Sequence, residues 1–363
     1  MDTNYIVVDI ILGHACNFRC KYCYNKLGDV AYTSSKLDDE TIDNVFEYLT
    51  SLKLKYGKNK GLFISVFGGE PLEHIDILKK FVDKTTSIVD KYVVSTNGYN
   101  IHNVKKELLE ISNMCKQRNV EFKLCVSFDY ALQDENRQNE SHDVIWNNIL
   151  WLNVNKLCHA TISVISYNNF NRFHEMYLEA VKLKEECIYP IKSGFNVDRT
   201  NYDNESFDEE GTRSSLAIVK KYMIEHPEHS KDVMTYNSSC HGRNSFQENC
   251  IVSNIISGIG SNGDVYPMCN LLYERQLIKD MFKLGNVSES FEVIEERRKE
   301  LFSKLDQSIP EKCKICTVSC RVYPWKTIKT DISEFSGEMT EEWCSLHFIL
   351  DEYLGSEFSC ATN

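Results

Sequence analysis

The chain has 363 residues and 42% hydrophobic content, enough apolar material for one large domain with an extension or for two domains. Its formal net charge is −12 and no Lys/Arg block interrupts that balance, which argues against a nucleic-acid partner. Met1-Asp2-Thr3-Asn4 lacks the basic and apolar regions of a signal peptide, and no run of 18 apolar residues exists. The expectation is a cytoplasmic protein that neither enters nor crosses a membrane. Fifteen cysteines in a reducing compartment are not disulfides; metal or cluster ligation accounts for them better, with spacing deciding which take part.

In chain order, residues 5–12 read as a first strand and 38–56 as a helix, with Ile42, Val45, Phe46, Leu49 and Leu52 at helical spacing. Residues 62–67 form a strand stopped by Gly68-Gly69, and Pro71 suits the first turn of the helix that follows. A strand at 92–96 ends at Asn97-Gly98 and leads to a helix near 101–118. Strands at 122–129, 159–166 and 190–197 alternate with helices at 143–154, 168–187 and 212–226. Repeated β/α units imply a parallel sheet with helical crossovers. Eight units would close a barrel, so six predict an α/β fold of the partial (β/α)6 TIM-like kind. Residues 198–211 are polar and acidic, which places a boundary there: a barrel core over 1–211, then a bridging helix and cysteine-rich extension over 212–363.

Cys16-x3-Cys20-x2-Cys23 follows the first strand directly, at the end where α/β barrels carry their chemistry. Thiolates are the usual protein ligands of a [4Fe–4S] cluster, and three of them leave one iron free for a small molecule. Zinc would want a fourth ligand, and none lies nearby in sequence. Along the fourth strand Lys123, Cys125, Ser127 and Asp129 share a face opposite Phe122, Leu124, Val126 and Phe128. If the apolar set faces the helices, Ser127 and Asp129 face the barrel lumen.

The cysteine spacing, with Tyr22 before the third Cys, resembles the CxxxCxΦC signature of radical S-adenosylmethionine (SAM) enzymes. The companion motifs Gly68-Gly69-Glu70-Pro71, Ser95-Thr96-Asn97-Gly98 and Ser127-Phe128-Asp129 follow in order, and the likeness covers residues 5–197. It implies that SAM chelates the free iron and that an electron from the cluster breaks the sulfonium bond to give a 5′-deoxyadenosyl radical. It further implies that Gly68, Gly69 and Glu70 hold the SAM amino group, glycine permitting close approach and a carboxylate complementing an ammonium. Ser95 and Asn97 correspond to ribose contacts, Arg137 to the partner of the SAM carboxylate, and Tyr22, Ser127 and Asp129 complete the cofactor set. Cys125, directed at the lumen, is a candidate hydrogen donor to a substrate radical; Cys115, Cys158 and Cys187 read as inert buried thiols.

Beyond residue 238, Cys250-x12-Gly263-x5-Cys269, Cys313-x2-Cys316-x3-Cys320 and Cys344 resemble a SPASM extension. Residues 252–259 and 264–268 flank Asn262-Gly263, a strong hairpin signal. The resemblance implies two auxiliary [4Fe–4S] clusters: one on Cys250, Cys269 and Cys320 with Cys240 as candidate fourth ligand, the other on Cys313, Cys316 and Cys344. A zinc site at Cys313, Cys316, Cys320 and Cys344 is the bland alternative. SPASM enzymes modify peptides, which implies a peptide or small-protein substrate, a separate recognition protein and an electron donor such as flavodoxin or ferredoxin. The expected product is a thioether or carbon–carbon crosslink. Formylglycine formation on a sulfatase ranks second, because Asn270 follows Cys269 where those enzymes carry an Asp base. The rival from another class is a non-catalytic zinc-binding interaction protein.

Overall fold

In the first strand Val8 and Ile10 are fully buried on one face while Asp9 occupies the other, the period-two alternation of a strand with two different surroundings. The computed structural model describes residues 5–23, 33–138, 140–165, 167–197, 208–228, 255–267, 271 and 276–307. Six parallel strands follow each other in register: β1 (Tyr5–Ile11), β2 (Gly61–Phe67), β3 (Lys91–Thr96), β4 (Glu121–Ser127), β5 (Cys158–Ile165) and β6 (Lys192–Val197). The helices that link or follow them are α1 (Asp39–Tyr56), α2 (Ile75–Thr85), α3 (Lys105–Gln117), the short α4 (Gln133–Asn136), α5 (His142–Val154), α6 (Phe173–Glu186) and α7 (Glu209–Glu225). This is the expected α/β partial barrel, an open parallel sheet with helical crossovers.

α1 shows how local sequence sets the units. Asp38 caps it by accepting from the Thr41 amide at 2.8 Å, Asp39 and Glu40 occupy the first turn, and Lys53 and Lys55 the last. Both charge placements favour the helix dipole. Ile42, Val45, Leu49 and Leu52 are buried as expected, but the fifth core residue is Tyr48, not Phe46. Phe46 stays half-buried beneath the Lys84 ammonium, 5.5 Å from its ring centre. The helices near 101–118 and 168–187 each open with a 3-10 turn, Tyr99–Asn103 and Tyr167–Arg172, so their α-helical parts start later than periodicity suggests.

α7 packs on α6, with the Ser215 hydroxyl receiving the His174 amide at 2.9 Å, so the sixth β/α unit is complete and its helix begins at Glu209. The hairpin at Asn262-Gly263 is present as β7 (Ile255–Ile259) and β8 (Asp264–Tyr266), with Gly263 at φ +81°. Its position was not legible in the sequence: β7 lies parallel beside β1, extending the barrel sheet on the side away from β2. β9 (Gly285–Asn286) closes that edge, and α8 (Gln276–Phe282) and α9 (Phe291–Gln307) follow in sequence around it. The full order is β6-β5-β4-β3-β2-β1-β7-β8-β9. No described helix is long and apolar enough to cross a membrane.

Two apolar layers result. The larger fills the space between sheet and helices and takes Phe122, Leu124, Val126 and Phe128 from the fourth strand and the residue after it. The smaller lies on the opposite, inner face: Val93, Cys125 and Ala160, with Phe63 and Ile162 against them. It floors the lumen, beneath the ends of the strands that carry the motifs.

Candidate active site

Loop 12–23 carries the three cysteines, and it is fastened to the ends of β2, β3 and β4 in turn. Against β2, the amides of Leu12, Gly69 and Glu70 donate to Phe67, Gly13 and Ala15 carbonyls at 3.1, 2.9 and 2.8 Å. This pairing explains both glycines of the GGE motif. A Cβ on Gly68 would lie 2.6 Å from the Gly13 carbonyl oxygen, and one on Gly69 would lie 2.7 Å from the Ala15 carbonyl carbon and closer still to two carbonyl oxygens. The close approach made possible by the glycines is therefore, first of all, that of the cysteine loop.

Glu70 is fully enclosed. Its Oε1 accepts from the Leu72 amide at 3.0 Å and the Thr96 hydroxyl at 2.7 Å, and its Oε2 from the Asn97 amide at 2.6 Å. Its carboxylate thus joins the end of β2 to the end of β3. Burial pushes its carboxyl up to about 7 against the pull of those three donors. Since the folded value lies above the unfolded one of about 4.5, the folded chain binds more protons between the two. The associated stability is present below pH 4.5 and is lost as pH rises through about 7, on the order of 3 kcal/mol for the full shift. Denaturant midpoints of the metal-free chain should fall between pH 5 and 7.5, and the fall should flatten in Glu70→Gln. An unchanged slope in that variant would contradict the assignment.

Against β3, the Asn97 side chain donates to Asn17 Oδ1 at 2.7 Å, and its own oxygen receives the Tyr99 amide at 3.0 Å. Asn17, inside the cysteine motif, was not singled out in the sequence, and neither was Thr96; the signal for each was its place within a motif whose other residues drew attention. Against β4, the Tyr22 hydroxyl donates to Asp129 Oδ2, the Arg137 Nη2 donates to Asp129 Oδ1 at 3.1 Å, and the guanidinium carbon lies 5.2 Å from the Tyr22 ring centre. Burial opposes the Arg137 charge, but Asp129 and Tyr22 beside it outweigh that and hold it protonated. Ser95 and Ser127 are half-buried on the inner face; Cys125 lies one residue-pair deeper than Ser127 on β4, in register with Ser95.

Cys16 and Cys20 are held as thiols by their burial in the folded chain. Burial pushes Cys16 up to about 12, opposed by the Phe18 amide that donates to its sulfur at 3.4 Å. Burial raises Cys20 as well, against the Arg137 charge. Each is raised further by the neighbouring thiols, so all three lie within electrostatic reach of one another. A bound cationic centre is what would deprotonate them. Among the described residues no three His, Cys, Asp or Glu side chains converge on one ion's position. A zinc ion would draw its sulfurs to about 2.3 Å from a single point. A [4Fe–4S] cluster takes each thiolate on a different iron and needs a wider set.

Cys125 lies in the apolar floor, 4% exposed, its thiol pushed up to about 12 by burial. Cys240, Cys250, Cys269, Asn270, Cys313, Cys316, Cys320 and Cys344 lie outside the described residues.

A family described as a 4Fe-4S single cluster domain matches residues 7–144. The radical SAM cyclopropyl synthase TigE of Paramaledivibacter caminithermalis is 27% identical over 181 residues, 46% of this chain and 37% of that protein. The chain thus spans about a third of the length of the curated relatives it matches, a GTP 3′,8-cyclase of Microcystis aeruginosa being another, at 31%. Among solved structures, anSMEcpe with bound AdoMet superposes with a TM-score of 0.69 at 15% identity, covering 97% of this chain and 98% of that one. Streptococcus suis SuiB bound to S-adenosylmethionine gives 0.60 at 16% identity, covering 91% and 76%. The open parallel barrel, the cysteine loop fastened across its strand ends and these likenesses together establish that the chain has the fold of the radical SAM enzymes.

Proposed function

We propose that this chain binds a [4Fe–4S] cluster through Cys16, Cys20 and Cys23, binds SAM beside it, and uses the pair to modify a peptide. The observation that carries the reading is the fastening of one cysteine loop to the ends of three successive strands, through Gly69 and Glu70, Asn97, and Asp129. Together the cluster and SAM, when bound, supply a one-electron route to hydrogen-atom abstraction from substrate. The chain's part is to hold the loop in place, keep water from it, and present the half-buried Ser95 and Ser127 over an apolar floor. Cys125 in that floor remains the candidate hydrogen donor, since a thiol kept protonated has a hydrogen atom to give.

A peptide substrate is supported by anSMEcpe, which has been solved with AdoMet and a Cp18Cys peptide and superposes with a TM-score of 0.68. The residues after 308 would then carry two auxiliary clusters with the hairpin cysteines, and flavodoxin or ferredoxin would supply the electron. Reconstituted protein should hold about twelve irons, and a Cys16/Cys20/Cys23→Ala variant about eight. Retention of about four would mean one auxiliary cluster, and zinc in place of iron would favour the non-catalytic reading. The substrate test is mass spectrometry after anaerobic incubation with SAM and dithionite. We expect a crosslinked product, about 2 Da lighter, on a short peptide encoded beside this chain's gene, and none on a sulfatase-derived peptide, because Asn270 offers no carboxylate base. Loss of about 18 Da from a sulfatase Cys peptide over many turnovers would establish formylglycine formation instead.

A further inference from the structure

We propose that Tyr22, Asp129 and Arg137 form a strut that fixes the Cys20–Cys23 turn against the end of β4, so that Asp129 and Arg137 are positioning residues acting on bound SAM through that turn. The proposal deepens the reading above, since it takes the cysteines as cluster ligands.

The Asp129 carboxylate is filled by hydrogen bonds from within the chain. Its Oδ1 accepts from Arg137 Nη2 at 3.1 Å and from the Val164 amide at 3.0 Å. Its Oδ2 accepts from the Tyr22 hydroxyl and from Asn136 Nδ2 at 3.4 Å. A carboxylate offers about four lone-pair positions, so these four donors use its whole capacity and leave none for a ribose hydroxyl. The carboxylate is also completely buried, and the Arg137 side chain is 6% exposed. Arg137 spends its charge on Asp129 and lies over the Tyr22 ring, and its Nε is buried without a hydrogen-bond partner. Asp129 thus has no lone pair left for a ligand, and Arg137 is enclosed beside it with its charge directed at that carboxylate.

What both groups do reach is the cysteine turn. The Tyr22 hydroxyl ties the residue before Cys23 to β4, and the Lys21 amide donates to the Asn136 carbonyl at 2.9 Å, next to Arg137 in the chain. Val164 brings in β5 through its amide, so the turn is braced against two strands. A buried ion pair of this kind is weak evidence of net stability but is well suited to fixing one geometry. Small displacements at a reacting centre are costly, which gives the strut its catalytic consequence.

Hydrogen exchange and kinetics of the full chain test this. Tyr22→Phe keeps the ring under Arg137 and removes only the hydroxyl; Arg137→Lys keeps the charge and removes the fork and the stacking. In the metal-free chain both should speed exchange of the Lys21 amide about tenfold or more, with α3 amides unchanged, because a hydrogen bond to a charged group is lost. This part is independent of the cluster, so a failed cluster assignment would not disturb it. In iron-loaded protein, kcat for SAM cleavage should fall about tenfold or more while the KM for SAM stays within about twofold. Unchanged Lys21 exchange in both variants, or a KM raised tenfold at unchanged kcat, would overturn the strut and make Arg137 a direct SAM ligand.

Discussion

Gly69→Ala should leave the chain folded and lower the rate of SAM cleavage by about a hundredfold. The added methyl would press on the carbonyl groups of His14 and Ala15, which are backbone and cannot rotate away as a side chain would. Relief requires parting the Gly69–Gly13 and Glu70–Ala15 hydrogen bonds, and those bonds set where Cys16 begins. Overpacking of this kind costs typically about 1–3 kcal/mol, survivable for the fold but transmitted to a loop that must be placed to a fraction of an ångström. Gly61→Ala is the control: there the new methyl meets the edge of the Tyr5 ring, at the opposite ends of the strands, and the ring can give way. Circular dichroism with 5′-deoxyadenosine quantification checks both. Near-normal cleavage by Gly69→Ala would show that the loop does not depend on this close approach.

Glu295→Ala should destabilise the chain by about 3–5 kcal/mol, because it breaks a buried, hydrogen-bonded ion pair by removing one partner. Glu295 is 2% exposed and Arg298 8%, with Nε to Oε1 at 2.9 Å. Arg298 Nη2 donates to the Ser257 hydroxyl at 2.8 Å and reaches the Tyr48 hydroxyl at 3.3 Å, so the pair joins α9 to β7 and α1. Burial alone would raise the Glu295 carboxyl, but Arg298, Tyr56 and Lys55 hold it below the usual range. Its contribution is therefore present above about pH 4.5 and lost as pH falls through the lower folded value. Lys55→Ala removes the half-exposed partner at 3.2 Å and should cost under about 1 kcal/mol. Urea midpoints of the metal-free chain measure both; a Glu295→Ala loss below about 1 kcal/mol would mean that water replaces the lost charge.

What the sequence made legible and what it hid divide along a physical line. Alternation and helical spacing report which face of an element is apolar, and they placed the six strands and their helices to within a few residues. The same alternation put Cys125 opposite Leu124 and Val126, and the two separate apolar layers have that arrangement. Periodicity says nothing about partners distant along the chain. It could not show that Tyr22 meets Asp129, that Asn17 meets Asn97, or that Tyr48 meets Ser257 and Arg298. Asn262-Gly263 announced a hairpin because the turn is local, whereas its pairing beside β1 depends on register with a strand some 250 residues earlier. Glu70 illustrates the remaining gap: a motif identifies the residue, and only the fold reveals that its oxygens already serve Leu72, Thr96 and Asn97.

A cluster on the cysteine loop that cleaves SAM would show itself in the products. The direct measurement is 5′-deoxyadenosine and methionine formed from SAM by the anaerobically reconstituted full chain with dithionite, beside the Cys16/Cys20/Cys23→Ala variant. Brown protein that forms both products is expected, with a variant that forms neither while keeping iron elsewhere. Equal product from the variant, or a colourless zinc-loaded wild type that forms none, would contradict it.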